Sequence, residues 1–343
     1  MTAARAAARI VPHADGPSSA SAPSDAFPTL DDVRAAARRL EGVTRRTALR
    51  RSAGLSARTG MDVHLKLEGG QRTGSFKLRG AYNVVALLSP EERARGLVTA
   101  SAGNHGLGMA WAARRLGTRP VVFVPESAPA KKQRRIARFG AELRRIPGSF
   151  DDAHAAAMAF AAESGAVFVS AFSDPAVTAG QGTVALELFD QLPEVRTIVA
   201  PVGGGGLIGG IGVVARALGR GVRVVGVQTE ETAGMHASLA AGRPTSTHYG
   251  PTLCEGLTGD VDARALALAR EVVDEVVLVS EDAVRRAIRW LHAEEGVVVE
   301  GSAAVGAAAL LEGAVGGLEG PVAVVLTGRN IDAARLVPIL RGD

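Results

Sequence analysis

The sequence predicts an α/β protein made of two doubly wound α/β domains with a cleft between them. Three observations carry that expectation. Short apolar runs of strand length alternate with stretches of helix length along most of the chain, which is the pattern of a parallel sheet covered on both faces. Hydrophobic residues make up 47% of the 343 positions, yet aromatics only 4%, and 42 positions are glycine. The core must therefore be filled by Ala, Val, Leu and Gly, which suit close helix-on-sheet layers. Finally, eight or more strand–helix units exceed one simple doubly wound sheet, and a chain of this length accommodates two domains.

Residues 1–26 are rich in Ala, Arg, Ser and Pro and lack core periodicity. An organelle transit peptide shares that composition, but the Ala/Arg bias runs through the whole chain, and the stretch is read as a disordered N-terminal extension. Thr29 opens a helix over Leu30–Leu40, with Asp31 and Asp32 in its first turn, where negative charge is stabilised. Met61–Leu67 alternates as a strand and Phe76–Leu88 reads as a helix. The pattern then repeats: strand Gly96–Ala100, helix Gly106–Leu116, strand Pro120–Val124, helix Pro129–Phe139 with a basic face. Strand Ala141–Ile146, helix Phe150–Ser164, strand Ala166–Ser170 and helix Gly182–Gln191 follow. Strand Thr197–Val202 leads through a glycine run into a helix ending at Ala217. Strand Val222–Gln228, helix Asp262–Glu271, strand Glu275–Val279, helices Asp282–Glu294 and Ser302–Glu312, and strand Val322–Leu326 complete the series.

Composition removes several function classes. The net charge is +4, with acids and bases interleaved and no basic block threaded by aromatics, so nucleic acid is not an expected partner. No uninterrupted apolar run reaches about 18 residues, so no membrane span is expected. Cys254 is the single cysteine. It allows no intrachain disulfide and no CxxC knuckle, and it points to a reducing, cytoplasmic setting. The seven histidines show no HExxH-like spacing, and no metal site is expected.

Lys77 is the first candidate for chemistry. The chain has only four lysines, Lys66, Lys77, Lys131 and Lys132, among 39 basic residues. A chain that prefers Arg so strongly keeps Lys where a guanidinium will not serve, because an amine can deprotonate and condense with an aldehyde. Lys77 follows a strand end and a Gly/Thr-rich turn, Gly69-Gly70-Gln71-Arg72-Thr73-Gly74-Ser75-Phe76, and so stands at a helix start facing a cleft. On this stretch alone a surface lysine in a first helical turn fits equally well.

The second candidate is the run Gly203-Gly204-Gly205-Gly206-Leu207 between a strand and a helix. Successive glycines let backbone N–H groups turn toward one point, and the helix N-terminus behind them adds positive potential, which together make a phosphate cup. A tight turn is the plainer alternative, at the cost of four glycines' unfolded-state entropy. The run also contains Gly204-x-Gly206-x-x-Gly209, so a nicotinamide dinucleotide site must be weighed. That site needs an acid closing the next strand, and Val222–Gln228 ends in Gln228, with Glu230 and Glu231 displaced beyond it. A small phosphate monoester needs only the cup. A lysine for a Schiff base and a phosphate cup are together what pyridoxal 5'-phosphate requires.

With these residues in view the chain resembles the fold-type II pyridoxal-phosphate enzymes, in particular the threonine/serine dehydratases. The resemblance rests on Lys66-Leu67-Glu68 through Gly74-Ser75-Phe76-Lys77-Leu78-Arg79-Gly80-Ala81, on Thr99-Ala100-Ser101-Ala102-Gly103-Asn104-His105-Gly106, on the Gly203–Gly206 loop, and on Leu326-Thr327-Gly328-Arg329-Asn330. It extends from about residue 30 to the C-terminus. The stretches Met235–Leu239, Glu300–Gly306 and Gly328–Asp332 look more like a subgroup that includes hydroxyectoine-utilisation dehydratases. The resemblance implies a large cofactor-binding domain from 27–94 and 173–343, a small domain from 95–172, and a homodimer. It implies that Lys77 bonds the cofactor aldehyde, Phe76 lies against its ring, Asn104 meets the ring 3-oxygen, Gly203–Leu207 hold the phosphate and Thr327 faces the pyridine nitrogen. Ser101, Ala102, Gly103, Asn104 and His105 would receive the carboxylate of an amino-acid substrate at a helix start. Lys77 and Ser101 are the candidate catalytic residues.

The implied reaction is β-elimination from a β-hydroxy amino acid such as L-threonine or L-serine, giving a 2-keto acid and ammonia. The freed Lys77 amine would remove the Cα proton. A hydroxyl at Thr327, where other enzymes place a carboxylate, favours elimination over transamination. A racemase or β-replacement enzyme of the same fold is the alternative, and a nicotinamide-dependent oxidoreductase a remote one. Racemases of this family place a serine where this chain has Ala102, and Ala102 cannot carry a proton. Synthases typically carry Thr where this chain has His105. Some relatives bind a cation through two carboxylates where this chain has Gln228 and Gly234, which offer too few oxygen ligands. Glu255 stands where many relatives have Asp. The short length after Asn330 leaves no room for a regulatory domain, which points to a catabolic or pathway-specific enzyme.

Overall fold

Thr197–Pro201 and Val322–Leu326 are buried at every residue, as strands sandwiched between helices must be. They form the centre of the larger of two sheets in the computed structural model, which describes residues 8–9, 27–247 and 249–342. In chain order the strands are β1 Ala8–Arg9, β2 Leu49–Arg51, β3 Val63–Leu67, β4 Leu97–Ala100, β5 Pro120–Pro125, β6 Glu142–Ile146, β7 Val167–Phe168, β8 Thr197–Pro201, β9 Arg223–Thr229, β10 Glu275–Val279 and β11 Val322–Leu326. The larger sheet runs β1-β10-β9-β8-β11-β3-β2, and the smaller β6-β5-β4-β7. All pairs are parallel except β1 with β10 and β2 with β3 at the edges of the larger sheet. The extension expected over residues 1–26 lies outside the described residues apart from Ala8–Arg9, which pair with Glu275–Val276.

The strand orders fix where a ligand can sit. From β8 the chain proceeds to β9 on one side, while β11 and β3 occupy the other. From β4 it proceeds to β5 on one side, with β7 on the other. Each sheet thus has one point where loops leaving the carboxyl ends of adjacent strands diverge, the place where open α/β sheets bind ligands. The glycine run and Thr327 follow β8 and β11. Ser101–Asn104 and Val169–Phe172 follow β4 and β7.

Glycine determines how the helices pack across the larger sheet. Pro175–Gln191 is one helix capped by Asp174, seven residues longer than the sequence pattern predicts. Gly180 and Gly182 inside it are crossing points. A Cβ on Gly180 would stand 2.6 Å from Gly80 Cα in the Leu78–Leu87 helix, and one on Gly210 would stand 2.6 Å from the Gly182 nitrogen. The backbones approach closely because no side chain intervenes, and the propensity cost of helical glycine, about 1 kcal/mol each, is offset by contact. The sequence pattern also missed β2 and the helices Ala53–Thr59, Pro90–Arg95, Gly234–Ala241 and Ala333–Arg341. The predicted helix at Gly106 begins at Asn104 instead.

Candidate active site

Lys77 immediately precedes the Leu78–Leu87 helix and its carbonyl accepts from Ala81 N at 3.1 Å. The loop before it is stitched to the loop after β11. Phe76 N donates to Thr327 O at 3.1 Å, Arg329 N to Gly74 O at 2.9 Å, and Ser75 bridges Gly328. Farther along the same helix start, Arg79 is 1% exposed and Glu68 is fully buried. Arg79 donates to both Glu68 oxygens at 2.8 and 2.9 Å and to Glu187 at 2.7 Å, while buried Lys66 donates to Glu187 at 2.6 Å. Two cations and two carboxylates balance within the interior, and the charges raise the Arg79 guanidinium further above its ordinary value, against its desolvation. Breaking one partner of such a group costs about 3–5 kcal/mol. The lysine is therefore presented from a rigid base.

The part-buried Lys77 amine donates to the Ala171 carbonyl at 2.9 Å and stands 5.3 Å from the Phe76 ring centroid. Burial lowers its pKa to about 8, with Glu300 pulling in the opposite direction. Across the cleft, Ser101 Oγ accepts from Gly103 N at 3.2 Å, and Asn104 is the first residue of the helix running to Arg115. Gly106 packs so closely on the Ser101 carbonyl that a Cβ would collide with it. The His105 ring is buried beside the Lys77 amine, whose charge acts on it. Its Nε2 meets Val169 O at 3.3 Å and burial lowers its pKa to about 3, so the ring is neutral. What His105 can offer an anion is its backbone N–H. Ala102 carries no proton-transferring group.

The glycine run after β8 opens the Gly206–Ala217 helix, with Gly205 in the left-handed region at φ 97°. Phe172, one residue beyond the carbonyl that binds Lys77, packs on this turn. A Cβ at Gly204 would run into its ring, and one at Gly206 would come within 3.0 Å of its carbonyl oxygen. A Cβ at Gly203 would come within 3.1 Å of the Gly256 carbonyl oxygen, and Leu207 is buried behind the run. Adjacent residues Ala171 and Phe172 thus touch the amine and the glycine turn, which brings the two close together. Thr327 is buried at the end of β11.

Sequence reasoning gave Glu300 no role, yet its carboxyl lies close enough to act on the Lys77 amine. It accepts from Asn104 Nδ2 at 2.6 Å and lies over Gly328, where a Cβ would strike it. Burial pushes its pKa up to about 7. The only signal in sequence was an acid just ahead of a small-residue helix. Gln228 is committed elsewhere, donating to Val202 O at 3.1 Å and accepting from His236 N at 2.9 Å. Among the described residues no three His, Cys, Asp or Glu converge as for a metal ion, and no helix is long and apolar enough to cross a membrane.

The family model for pyridoxal-phosphate dependent enzymes matches residues 40–328. The chain belongs to that family. It is 45% identical over 309 residues to an L-threonine ammonia-lyase of Thermotoga maritima, covering 89% of this chain and 76% of that protein. Among solved structures it is similar to the processed form of threonine deaminase isoform 2 from Solanum lycopersicum, with TM-score 0.84, 30% identity, and 92% and 94% of the two chains covered. Maize serine racemase superposes with TM-score 0.87 at 29% identity, covering 92% and 98%. The residues present fit the family's cofactor. A depressed-pKa lysine and a glycine turn at a helix N-terminus lie close together. The hydroxyls of Thr73 and Ser75 and the Nδ1 of His105 are buried without a protein partner.

Proposed function

We propose that this enzyme, a pyridoxal-phosphate-dependent lyase, eliminates water from a β-hydroxy amino acid such as L-threonine or L-serine and releases a 2-keto acid and ammonia. The observation that carries this reading is the part-buried Lys77 amine, which is brought close to the glycine turn through Ala171 and Phe172. Pyridoxal phosphate, when bound, supplies an aldehyde on which lysine and substrate amine exchange, and a π-system that spreads the charge left at Cα. The protein's part is to hold and to move protons. The backbone N–H groups of Gly203–Leu207, at a helix N-terminus, would hold the cofactor's phosphate. Phe76 would pack on its ring, Asn104 would donate to its 3-oxygen, and the Thr327 hydroxyl would stand toward its pyridine nitrogen. The helix start at Ser101–His105 takes the substrate carboxylate through backbone N–H groups and the Ser101 hydroxyl.

Lys77 is the base at Cα. A pKa near 8 leaves about a tenth of the amines neutral at pH 7, where an ordinary lysine has fewer than one in a thousand. Ala102 provides no acid on the opposite face of Cα, which favours elimination over racemisation, the second reading raised by the likeness to serine racemase. We also propose a large cofactor-binding domain of 27–94 with 173–343 and a small domain of 95–172. We further assign a cytoplasmic homodimer and, from the Glu300–Gly306 and Gly328–Asp332 stretches, membership of the hydroxyectoine-utilisation subgroup.

The test is keto-acid and ammonia release from L-threonine, L-serine and 3-hydroxyaspartate, with D-serine formation measured in parallel. Lys77→Ala should lose turnover by at least about 1,000-fold and lose borohydride-trappable cofactor. Turnover surviving in that variant, or L-to-D conversion outpacing keto-acid release, would sink the proposal.

A further inference from the structure

The side-chain amide of Asn104 is oriented through Asn330, whose own two outer partners can each play only one role. The Thr73 carbonyl can only accept, and it takes one Nδ2 hydrogen of Asn330 at 2.9 Å. The Arg135 guanidinium can only donate, and it gives to Asn330 Oδ1 at 2.8 Å. Asn330 is thereby fixed, and its second Nδ2 hydrogen goes to Asn104 Oδ1 at 2.7 Å. Asn104 must then turn Nδ2 the other way, where Glu300 accepts at 2.6 Å. This accounts for every donor and acceptor of both amides except one N–H of Asn104.

The relay alternates between the two sheets. Arg135 and Asn104 belong to helices of the smaller sheet, Ala130–Ala137 and Asn104–Arg115, while Asn330 follows β11 and Glu300 precedes the Gly301–Leu311 helix of the larger. Glu300 does not use its side chain to cap its own helix. Its carboxyl also takes the backbone N–H of Asn330, with Lys132 and Glu255 the other charges that act on it and Lys77 the cation it acts on in turn.

We propose that Glu300 and Asn330 are positioning residues that hold the Asn104 amide in the one orientation presenting an N–H donor to the cleft. This rests on the reading that Asn104 contacts the ring 3-oxygen of the cofactor. A flipped amide would set a carbonyl oxygen against that oxygen, replacing attraction by repulsion.

The experiment is a double-mutant cycle on the holoenzyme, read by cofactor dissociation constant, by the pH midpoint of the bound-cofactor absorbance, and by kcat and KM separately. Glu300→Leu and Asn330→Leu should each weaken cofactor binding and lower kcat roughly tenfold to a hundredfold, with KM moved less. Combined with Asn104→Ala, neither should cause further loss. Glu300→Gln keeps an oxygen acceptor and should return cofactor affinity to within about threefold of the parent. Losses that multiply in the double variants, or Gln as damaging as Leu, overturn the proposal. Should Glu300→Leu fail to fold by circular dichroism, Glu300→Gln and the Asn330 cycle decide it. Lys77→Ala run alongside separates the two levels. If it still retains reducible cofactor, the cofactor reading has failed. If it does not and the cycle is nonetheless multiplicative, only the relay has failed.

Discussion

Lys77 shows how desolvation can lower the pKa of an amine without a neighbouring cation. Its folded-state pKa of about 8 lies below the ordinary 10.5, so the neutral amine gains population as pH rises through about 8. Capture of pyridoxal phosphate by the cofactor-stripped protein should accelerate about tenfold per pH unit below that point and level off above it. A midpoint near 10.5 in stopped-flow absorbance would remove the burial argument. The linkage has the same sign. Between about 8 and 10.5 the unfolded chain binds more protons than the folded one, so the stability penalty from Lys77 is full below that window and relieved as pH rises across it. Lys77 and the glycine run were legible in sequence because each states a local requirement, an amine or a freely turning backbone. Glu300 and Asn330 were not, because they act on Asn104 from 196 and 226 residues away and no local pattern announces such a partner. The partner of the His105 ring, the Val169 carbonyl, was equally illegible, because it too comes from a distant segment.

At the scale of elements, the Pro175–Gln191 helix is gripped between Leu78–Leu87 and Gly206–Ala217 through glycines. Gly180→Ala gains about 1 kcal/mol of helix propensity, but its Cβ would stand 2.6 Å from Gly80 Cα and 2.8 Å from the Arg79 carbonyl. Both are backbone atoms that cannot step aside. The expected net loss is about 1–3 kcal/mol, accompanied by lower activity because Lys77 immediately precedes the displaced helix. A melting temperature equal to or above the parent's would contradict this. The long parallel strands and most helices were legible from apolar period and caps. Glycine inside a helix was not, since its benefit lies in another helix. β2 escaped notice because it is a three-residue edge strand with its two arginines exposed, and Ala333–Arg341 because Pro338 interrupts the pattern.

Across the whole molecule, the Ala130–Ala137 helix of the smaller sheet leans on loops of the larger one. Lys131 pairs with Asp332 at 3.1 Å, Lys132 pairs with Glu255, and Arg335 steadies Glu255 at 2.7 Å from its own side. Exposed pairs contribute little to stability, about 0.2–1 kcal/mol each, but these span the cleft. Lys131→Ala and Lys132→Ala should therefore raise KM about twofold to fivefold while leaving the melting temperature nearly unchanged, and added salt should raise KM in the parent more than in the variants. An unchanged KM with a lowered melting temperature would show the pairs to be merely structural. Two sheets were foreseeable from the number of strand–helix units. Which helix spans the gap was not, because the basic face of Ala130–Ala137 reads in sequence as ordinary solvated charge. The connector that returns from β7 has a consequence of its own. Ala171 accepts from the Lys77 amine while Phe172 packs on the glycine turn, so this short strap is fastened to both ends of the berth proposed for the cofactor. Loading or release must tug on it, which makes residues 170–173 the place to attach a fluorescent reporter of occupancy and the stretch where amide exchange should slow first when the berth fills.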